Sequence, residues 1–508
     1  MATFMGTWPK FPLVYEINTR VWLGELSAKA GRNLTLDQIP NEEFERISRM
    51  GFQCVWMMGV WPTGPESLAI SRTLPELLKS YRETLPDFKM DDCIGSPYAV
   101  ARYEVAPNLG GPQALAAMRD KLARFGMRLM LDFVPNHTAR DYWLAAENPD
   151  VFVRGSEDEM KRNPAGFFKS AGGHVIACGR DPYFPAWQDT AQINYAQAPG
   201  RSAMKEALLR VASQCDGVRC DMAMLILPEI LERTWGSALG ANPNRNSWWK
   251  ETIPEVLKAH PHFLFMAEAY WDMEWRLQQE GFHFTYDKTL YDRLRKGDFK
   301  GVRHHFQGDK TFEERCARFV ENHDEPRAVA GFGPGRARSA AIASFFGQGL
   351  KLFHEGQLEG RRVRVPVQLG RRPQEPEDVE TALFYEKVLE VLRDSIFQDG
   401  NFELREVQSA GWGDVSNDSI IAFYWTPPAS KSSRRMTSFL IVVNVSSMRA
   451  YGRIPLPQST FVAGKQFVFY DRFDGKRYER EGGELGWPGL YVSLEGNQPH
   501  LFEITAKS

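Results

Sequence analysis

At 508 residues the chain exceeds the size at which single hydrophobic cores stop growing, which predicts at least two domains. Hydrophobic residues make up 43% and charged residues 25%, the ordinary balance of a globular protein in water. The formal net charge of -2, from 62 basic and 64 acidic residues, argues against a nucleic-acid partner or an anionic membrane surface.

The first residues, Met1-Ala2-Thr3-Phe4-Met5-Gly6-Thr7, carry neither a basic nor an apolar region and do not read as a signal peptide. No apolar run is long enough to span a bilayer. The 6 cysteines (Cys54, Cys93, Cys178, Cys215, Cys220 and Cys316) lack zinc-ligand spacing and read as reduced, mostly buried thiols. Together these features predict a cytoplasmic protein.

In chain order, the first apolar runs are Leu13–Ile17 and Gln53–Met58. A long connection from Pro62 to about Pro97 follows, with a helix expected around Leu77–Thr84. From Pro112 to Phe125, Leu115, Met118 and Leu122 recur at helical spacing, and Gly126 is placed to stop the helix. The next run is Arg128–Val134. Then comes a Gly-, Pro- and aromatic-rich excursion from Pro135 to about Gln192, read as a loop subdomain over 135–192. A helix is expected between Arg201 and Gln214, on the spacing of Met204, Leu208 and Val211. Further runs follow at Gly217–Asp221, Phe263–Glu268, Phe282–Tyr286, Arg318–Glu321 and Leu350–His354.

That makes eight strands alternating with helices, the count of a closed (β/α)₈ TIM barrel, here assigned to 1–134 and 193–397. Several strands are apolar without alternation, as expected where both faces are covered. Beyond about Ser395 the β-rich runs Ile420–Trp425, Ser438–Val445 and Lys465–Tyr470 are separated by polar turns, and Thr426–Arg435 reads as a loop. Residues 398–508 are therefore expected to form an antiparallel β-sandwich.

Four acids stand at the ends of four of the apolar strands: Asp132, Asp221, Glu268 and Asp324. Taken singly, each could equally cap the helix or turn that follows. Four converging on one barrel mouth, two with histidines nearby, favour catalysis, because an ionised carboxylate is not buried without a reason. Arg219 and Asp221 lie two apart on a strand and point to the same side, so the guanidinium should hold the carboxylate ionised. A structural ion pair is the alternative. Glu268 follows an apolar run and precedes Tyr270 and Trp271, a setting that raises a carboxyl pKa and suits a proton donor.

These segments resemble, in order, the four conserved regions of the α-amylase family, glycoside hydrolase family 13. Asp132 to His137 is similar to its Asp-x-x-x-Asn-His, and Gly217 to Asp221 to its Gly-x-Arg-x-Asp. Glu268 stands as the strand-end acid, and Asn322-His323-Asp324 completes the set. The resemblance extends to Gly95-Ser96-Pro97-Tyr98 and Glu355-Gly356-Gln357. It implies that Asp221 attacks the anomeric carbon and that Glu268 protonates the leaving oxygen. It also implies that Asp324, His137 and His323 hold sugar hydroxyls while Tyr98 stacks beneath the ring. A retaining mechanism of this kind needs its two carboxyl groups about 5–5.5 Å apart.

Two departures shape the expectation. Where classical members carry Lys and His after the nucleophile, this sequence has Met224 and Leu225, and Gln192 replaces an acid in the long third loop. Neither Leu nor Gln supplies the charge a hard cation needs, so no calcium is expected at the usual position, and no cofactor. His323-Asp324-Glu325-Pro326-Arg327 resembles the α-glucosidase-type His-Asp-x-Pro-Arg, in which the Arg pairs with an acid near the Tyr to close a pocket. Gly95 stands at that acid's place, leaving Asp91 or Asp92 as substitute partners of Arg327. The basic residues Arg361, Arg362, Arg364, Arg371 and Arg372 read as a solvated charged face, with binding of a phosphorylated group as the alternative. The sequence thus predicts a retaining hydrolase of small or short-chain α-glucosides with a small-molecule carbohydrate substrate. A transglycosidase or phosphorylase, and a non-catalytic sugar- or partner-binding relative, are the alternatives.

Overall fold

The computed structural model describes residues 8–428 and 437–507. The readings of Met1–Thr7 and of most of the Thr426–Arg435 loop lie outside the described residues. Eight parallel strands close into a barrel: β1 (Leu13–Asn18), β2 (Cys54–Met58), β3 (Arg128–Phe133), β4 (Gly217–Cys220), β5 (Leu264–Ala267), β6 (Phe284–Tyr286), β7 (Cys316–Arg318) and β8 (Leu350–His354). Each pairs with its neighbours in chain order, and β1 closes the ring against β8, with Glu16 opposite His354. Almost every strand residue is buried, which explains the missing alternation.

The strands are shorter than the sequence suggests at their exits. β4 and β5 stop one residue before Asp221 and Glu268, and β7 ends at Arg318, so Phe319 to Asp324 is a loop at the barrel mouth. Two further backbone bonds continue the ladder past β4 and β5: Asp221 N–H to the Phe133 carbonyl (2.9 Å) and Glu268 N–H to the Cys220 carbonyl (3.0 Å). They fix where the two acids leave the barrel. The helices Gly111–Arg124 and Ala198–Gln214 lie where periodicity places them, the first followed by Gly126 at φ 76°, and Pro75–Thr84 forms the helix expected around Leu77–Thr84.

The C-terminal part contains β9 (Asn401–Arg405), β10 (Ile420–Thr426), β11 (Ser438–Asn444), β12 (Ala450–Ile454), β13 (Gln466–Asp471), β14 (Arg477–Glu481), β15 (Leu490–Leu494) and β16 (Pro499–Ala506). Six form one antiparallel sheet in the order β9-β10-β11-β16-β13-β14, and β12 pairs with β15 as a second, two-stranded layer. Side chains alternate between faces. Ile421, Phe423, Trp425, Phe439, Ile441 and Val443 join the barrel's core, while Ala422, Tyr424, Leu440 and Val442 pack against the two-stranded layer. The larger sheet is therefore covered twice over.

All six cysteines are free and buried. Among the described residues no helix is long and apolar enough to cross a membrane.

Candidate functional site

Arg219, on β4 and fully buried, organises the barrel mouth. Its Nη1 donates to Asp221 Oδ1 at 2.7 Å. Its Nη2 lies 2.8 Å from Glu268 Oε2, at an angle that makes the contact an ion pair rather than a hydrogen bond. One guanidinium thus stands between the two carboxyl groups, and the stronger contact goes to Asp221. Rings of Tyr98, Trp56 and Tyr286 surround the cation at 5.3, 5.4 and 5.7 Å. Beneath it Asp132 accepts from Trp56 Nε1 and the Gly59 N–H, both at 3.2 Å. Burial pushes Asp132 up to about 6.

Glu268 has a different environment. Oε2 accepts the Met222 N–H at 2.6 Å, and Oε1 accepts the Tyr270 hydroxyl at 3.0 Å. Met222 holds a left-handed backbone, φ 41°, directly after Asp221. This conformation costs a non-glycine residue on the order of 1–3 kcal/mol, and here it occurs where the Met222 N–H meets the acid. Burial pushes the Glu268 pKa up to about 7. The Arg219 cation opposes that shift, while the charges of Asp221 and Asp324 add to it. The group is therefore half neutral near pH 7.

Asp324 is the open member of the set, its side chain 43% exposed. His323 Nε2 lies 3.0 Å from its Oδ2, and that contact outweighs desolvation to hold the carboxyl below the usual range. The Tyr98 hydroxyl also meets His323 Nε2, at 2.7 Å. Tyr98 is placed by its loop: Gly95 turns at φ 81°, where an added Cβ would strike the Thr63 methyl at 2.7 Å, and Arg20 holds the Gly95 carbonyl at 3.0 Å. His137 is buried against Trp187, with ring centroids 5.1 Å apart, and burial lowers its pKa, keeping the imidazole neutral.

The structure therefore gathers Asp221, Glu268, Asp324, Arg219, Tyr98, His137 and His323 at one mouth. It sets Arg327 apart. That guanidinium is buried and donates to Glu321 Oε1 (2.7 Å), His354 Nδ1 (2.8 Å) and the Glu355 carbonyl (2.8 Å). Neither Asp91 nor Asp92 is its partner. Asp92 accepts from Arg371 at 2.6 Å, and exposed Asp91 lies 3.9 Å from Arg72. The expectation fails because Glu321, three residues before Asp324, is nearer and equally buried.

The expected basic face also divides. Arg372 is buried, forked onto Glu355 (2.6 Å) and Glu25 (2.6 Å), and Arg371 binds Asp92. Arg364 stays exposed and donates to the Asp324 carbonyl at 3.0 Å. Elsewhere among the aromatics, Trp249 is buried and donates to the Ala223 carbonyl, while Tyr183 is exposed and packs edge-on against Trp271 at 4.9 Å.

Around Asn136 the residues do not fit a calcium ion. Its carbonyl and side-chain oxygens, with the Ile193 carbonyl, converge on Gln192 Nε2 at 3.0, 2.9 and 3.1 Å. An amide donor already fills the place where the oxygens meet. Among the described residues no group of three or more His, Cys, Asp or Glu could hold a metal.

Sequence reasoning missed Glu16, whose carboxylate meets His323 Nδ1 at 2.5 Å, together with Glu321 and His354. The signal for Glu16 was available: it is the lone charge in the apolar run Leu13-Val14-Tyr15-Glu16-Ile17.

A family model described as alpha amylase, catalytic domain, matches residues 42–363, more than half of the chain. Alpha-amylase MalA of Haloarcula japonica is 23% identical over 369 residues, covering 70% of this chain; the chain spans only 45% of that protein's length. An alpha-amylase from Lactobacillus plantarum superposes with a TM-score of 0.66 at 18% identity, over 97% of this chain and 99% of that one. The alpha-amylase of Geobacillus thermoleovorans, solved with acarbose, gives 0.65 at 14%, over 99% and 100%. At these identities the structural likeness speaks for the fold alone. With the family model and the ordered motifs behind it, the assignment is plain: the chain belongs to the alpha-amylase catalytic-domain family.

Proposed function

We propose that the chain is a retaining glycosidase of α-glucosidic bonds, with Asp221 as nucleophile and Glu268 as acid and then base. The observation that carries this reading is the single guanidinium between two carboxyl groups of unlike character. Asp221 takes the direct hydrogen bond from Arg219, whereas Glu268 has only an ion-pair contact with it, is pushed up to about 7 and is available as a proton donor. Attack by Asp221 forms a glycosyl ester as the C1–O bond breaks, and the Glu268 proton goes to the departing oxygen. Water then gives its proton to Glu268 while its oxygen attacks C1, releasing Asp221. Asp324, His137 and His323 hold the sugar hydroxyls, and Tyr98 faces the ring.

The preferred substrates are short glucosides, as in α-glucosidase-type relatives, although Arg327 does not make the closure. A strap from Gly360 to Arg372, leaving the barrel after β8, is tied to the loop that follows β2. Ile94 N–H reaches the Gln368 carbonyl and Gly370 N–H the Asp92 carbonyl, both at 2.8 Å, and Arg371 pairs with Asp92. Two loops of the catalytic face are joined in this way just before Tyr98 in the chain, and that joining supports a pocket over a through-going cleft.

A panel of α- and β-linked glucosides of increasing length, with anomer-resolved product analysis, tests both statements. The expected result is α-configured product and faster release from small glucosides than from amylose. Inverted product would remove the mechanism, and faster internal cleavage of amylose would remove the pocket. Asp221→Asn is expected to lower turnover by on the order of 10⁴-fold or more.

A further inference from the structure

We propose that Glu16 is a positioning residue that keeps His323 doubly protonated, so that an imidazolium rather than a neutral imidazole presents its Nε2–H to Asp324 and Tyr98. The argument begins with geometry. A neutral imidazole has one N–H and one bare lone pair. His323 meets a carboxylate oxygen at each nitrogen: Glu16 Oε1 at Nδ1 (2.5 Å) and Asp324 Oδ2 at Nε2 (3.0 Å). A bare Nδ1 would face the Glu16 carboxylate, and a bare Nε2, although it could accept the Tyr98 hydroxyl, would stand 3.0 Å from the Asp324 carboxylate; a proton on each nitrogen gives both anions a positive partner. The Tyr98 oxygen then accepts from Nε2, which leaves the phenol's own proton for another acceptor in the site.

The cost of Glu16 points the same way. Its side chain is fully buried, and its second oxygen, Oε2, has no hydrogen-bond partner. Such a carboxylate is expensive unless paired with a charge. The groups facing the imidazole from the surrounding elements are Glu16 on β1, Tyr98 after β2, Asp132 on β3, Arg219 on β4 and Asp324 beside it in the chain. Behind it lie Arg327, His354, Glu355 and Arg372. Burial works against the cation, yet Asp324 and Glu16 together raise His323 well above an ordinary imidazole. His323 and His354 likewise outweigh burial to lower Glu16.

This inference rests on the proposed glycosidase only for its kinetic consequence; the ionisation of His323 is independent of turnover. The decisive measurement is nitrogen NMR of ¹⁵N-histidine-labelled full-length protein from pH 5 to 9, with the His323 signals assigned by their loss in His323→Gln. In the native protein both His323 nitrogens are expected to stay protonated throughout. In Glu16→Gln a one-proton transition is expected inside that window. The kcat/KM for a small α-glucoside should fall about tenfold on its alkaline side, mainly through KM, and Glu16→Asp should restore part of it. Glu16→Gln with neutral His323 carries the same net charge as the native pair, so the limb belonging to Glu268 should stay in place. A native His323 that titrates like an ordinary imidazole overturns the proposal even if Glu16→Gln does not fold. So does a folded Glu16→Gln in which His323 keeps both protons. If no glucoside is turned over while native His323 stays protonated, the glycosidase reading fails and this one stands.

Discussion

In the proposed mechanism Glu268 sets the alkaline side of activity. With its acid form as the proposed proton donor and burial raising its pKa to about 7, the competent fraction would fall as pH rises through about 7. The kcat/KM profile for an unactivated glucoside is expected to lose tenfold for each unit beyond that point. With an activated leaving group, Glu268→Gln should keep glycosylation measurable and lose this limb altogether; a limb that persists would assign it to another group. Asp132, Arg219, Asp221 and Glu268 were legible because each lies within, or one residue beyond, an apolar strand; Asp324, in the loop six residues past β7, was legible only from its Asn-His-Asp motif. The partner of Arg327 was not, because sequence order gives no distance between Glu321 and the Asp91–Asp92 turn.

Among the elements, the strap depends on Arg372. Its guanidinium bridges Glu355, just beyond β8, and Glu25, on the helix after β1. Arg372→Ala would leave Glu355 buried without its cation, a loss of about 3–5 kcal/mol. Urea unfolding is expected to show that loss, with KM for short glucosides rising as the strap loosens; unchanged values of both would mean that the strap is held elsewhere. The charged run after β8 looked like a solvent-facing surface because composition cannot reveal acids that approach from distant loops. Periodicity was informative for the helices, since each packs one face on the barrel, and less so for the strand exits. β7 is followed by Phe319 and Val320, apolar residues that read as strand yet line the loop to Asp324.

For the molecule as a whole, the Gln192 amide knits the third loop to Asn136 in place of an ion. Dialysis against a chelator is expected to leave Tm and activity unchanged, and a drop in Tm reversed by calcium would refute this. The eight-strand count and the β-rich C-terminal region were readable from apolar runs. The uneven layering of six strands against two was not, because strand pairing depends on contacts far apart in sequence. Trp425 ties the two parts together: its Nε1 donates to the Phe346 carbonyl at 2.9 Å, and its ring packs with Phe11, Phe397 and Phe402. Trp425→Ala should cost about 3–5 kcal/mol in denaturant unfolding.

Because β10 and β11 contribute alternate side chains to two different interiors, neither part has a finished exterior of its own. Heating should give a single calorimetric peak rather than two. A fragment ending near residue 397 would present Phe346 and Phe397 to water and be recovered as aggregate, so the barrel cannot be kept in solution without the sheet that covers it.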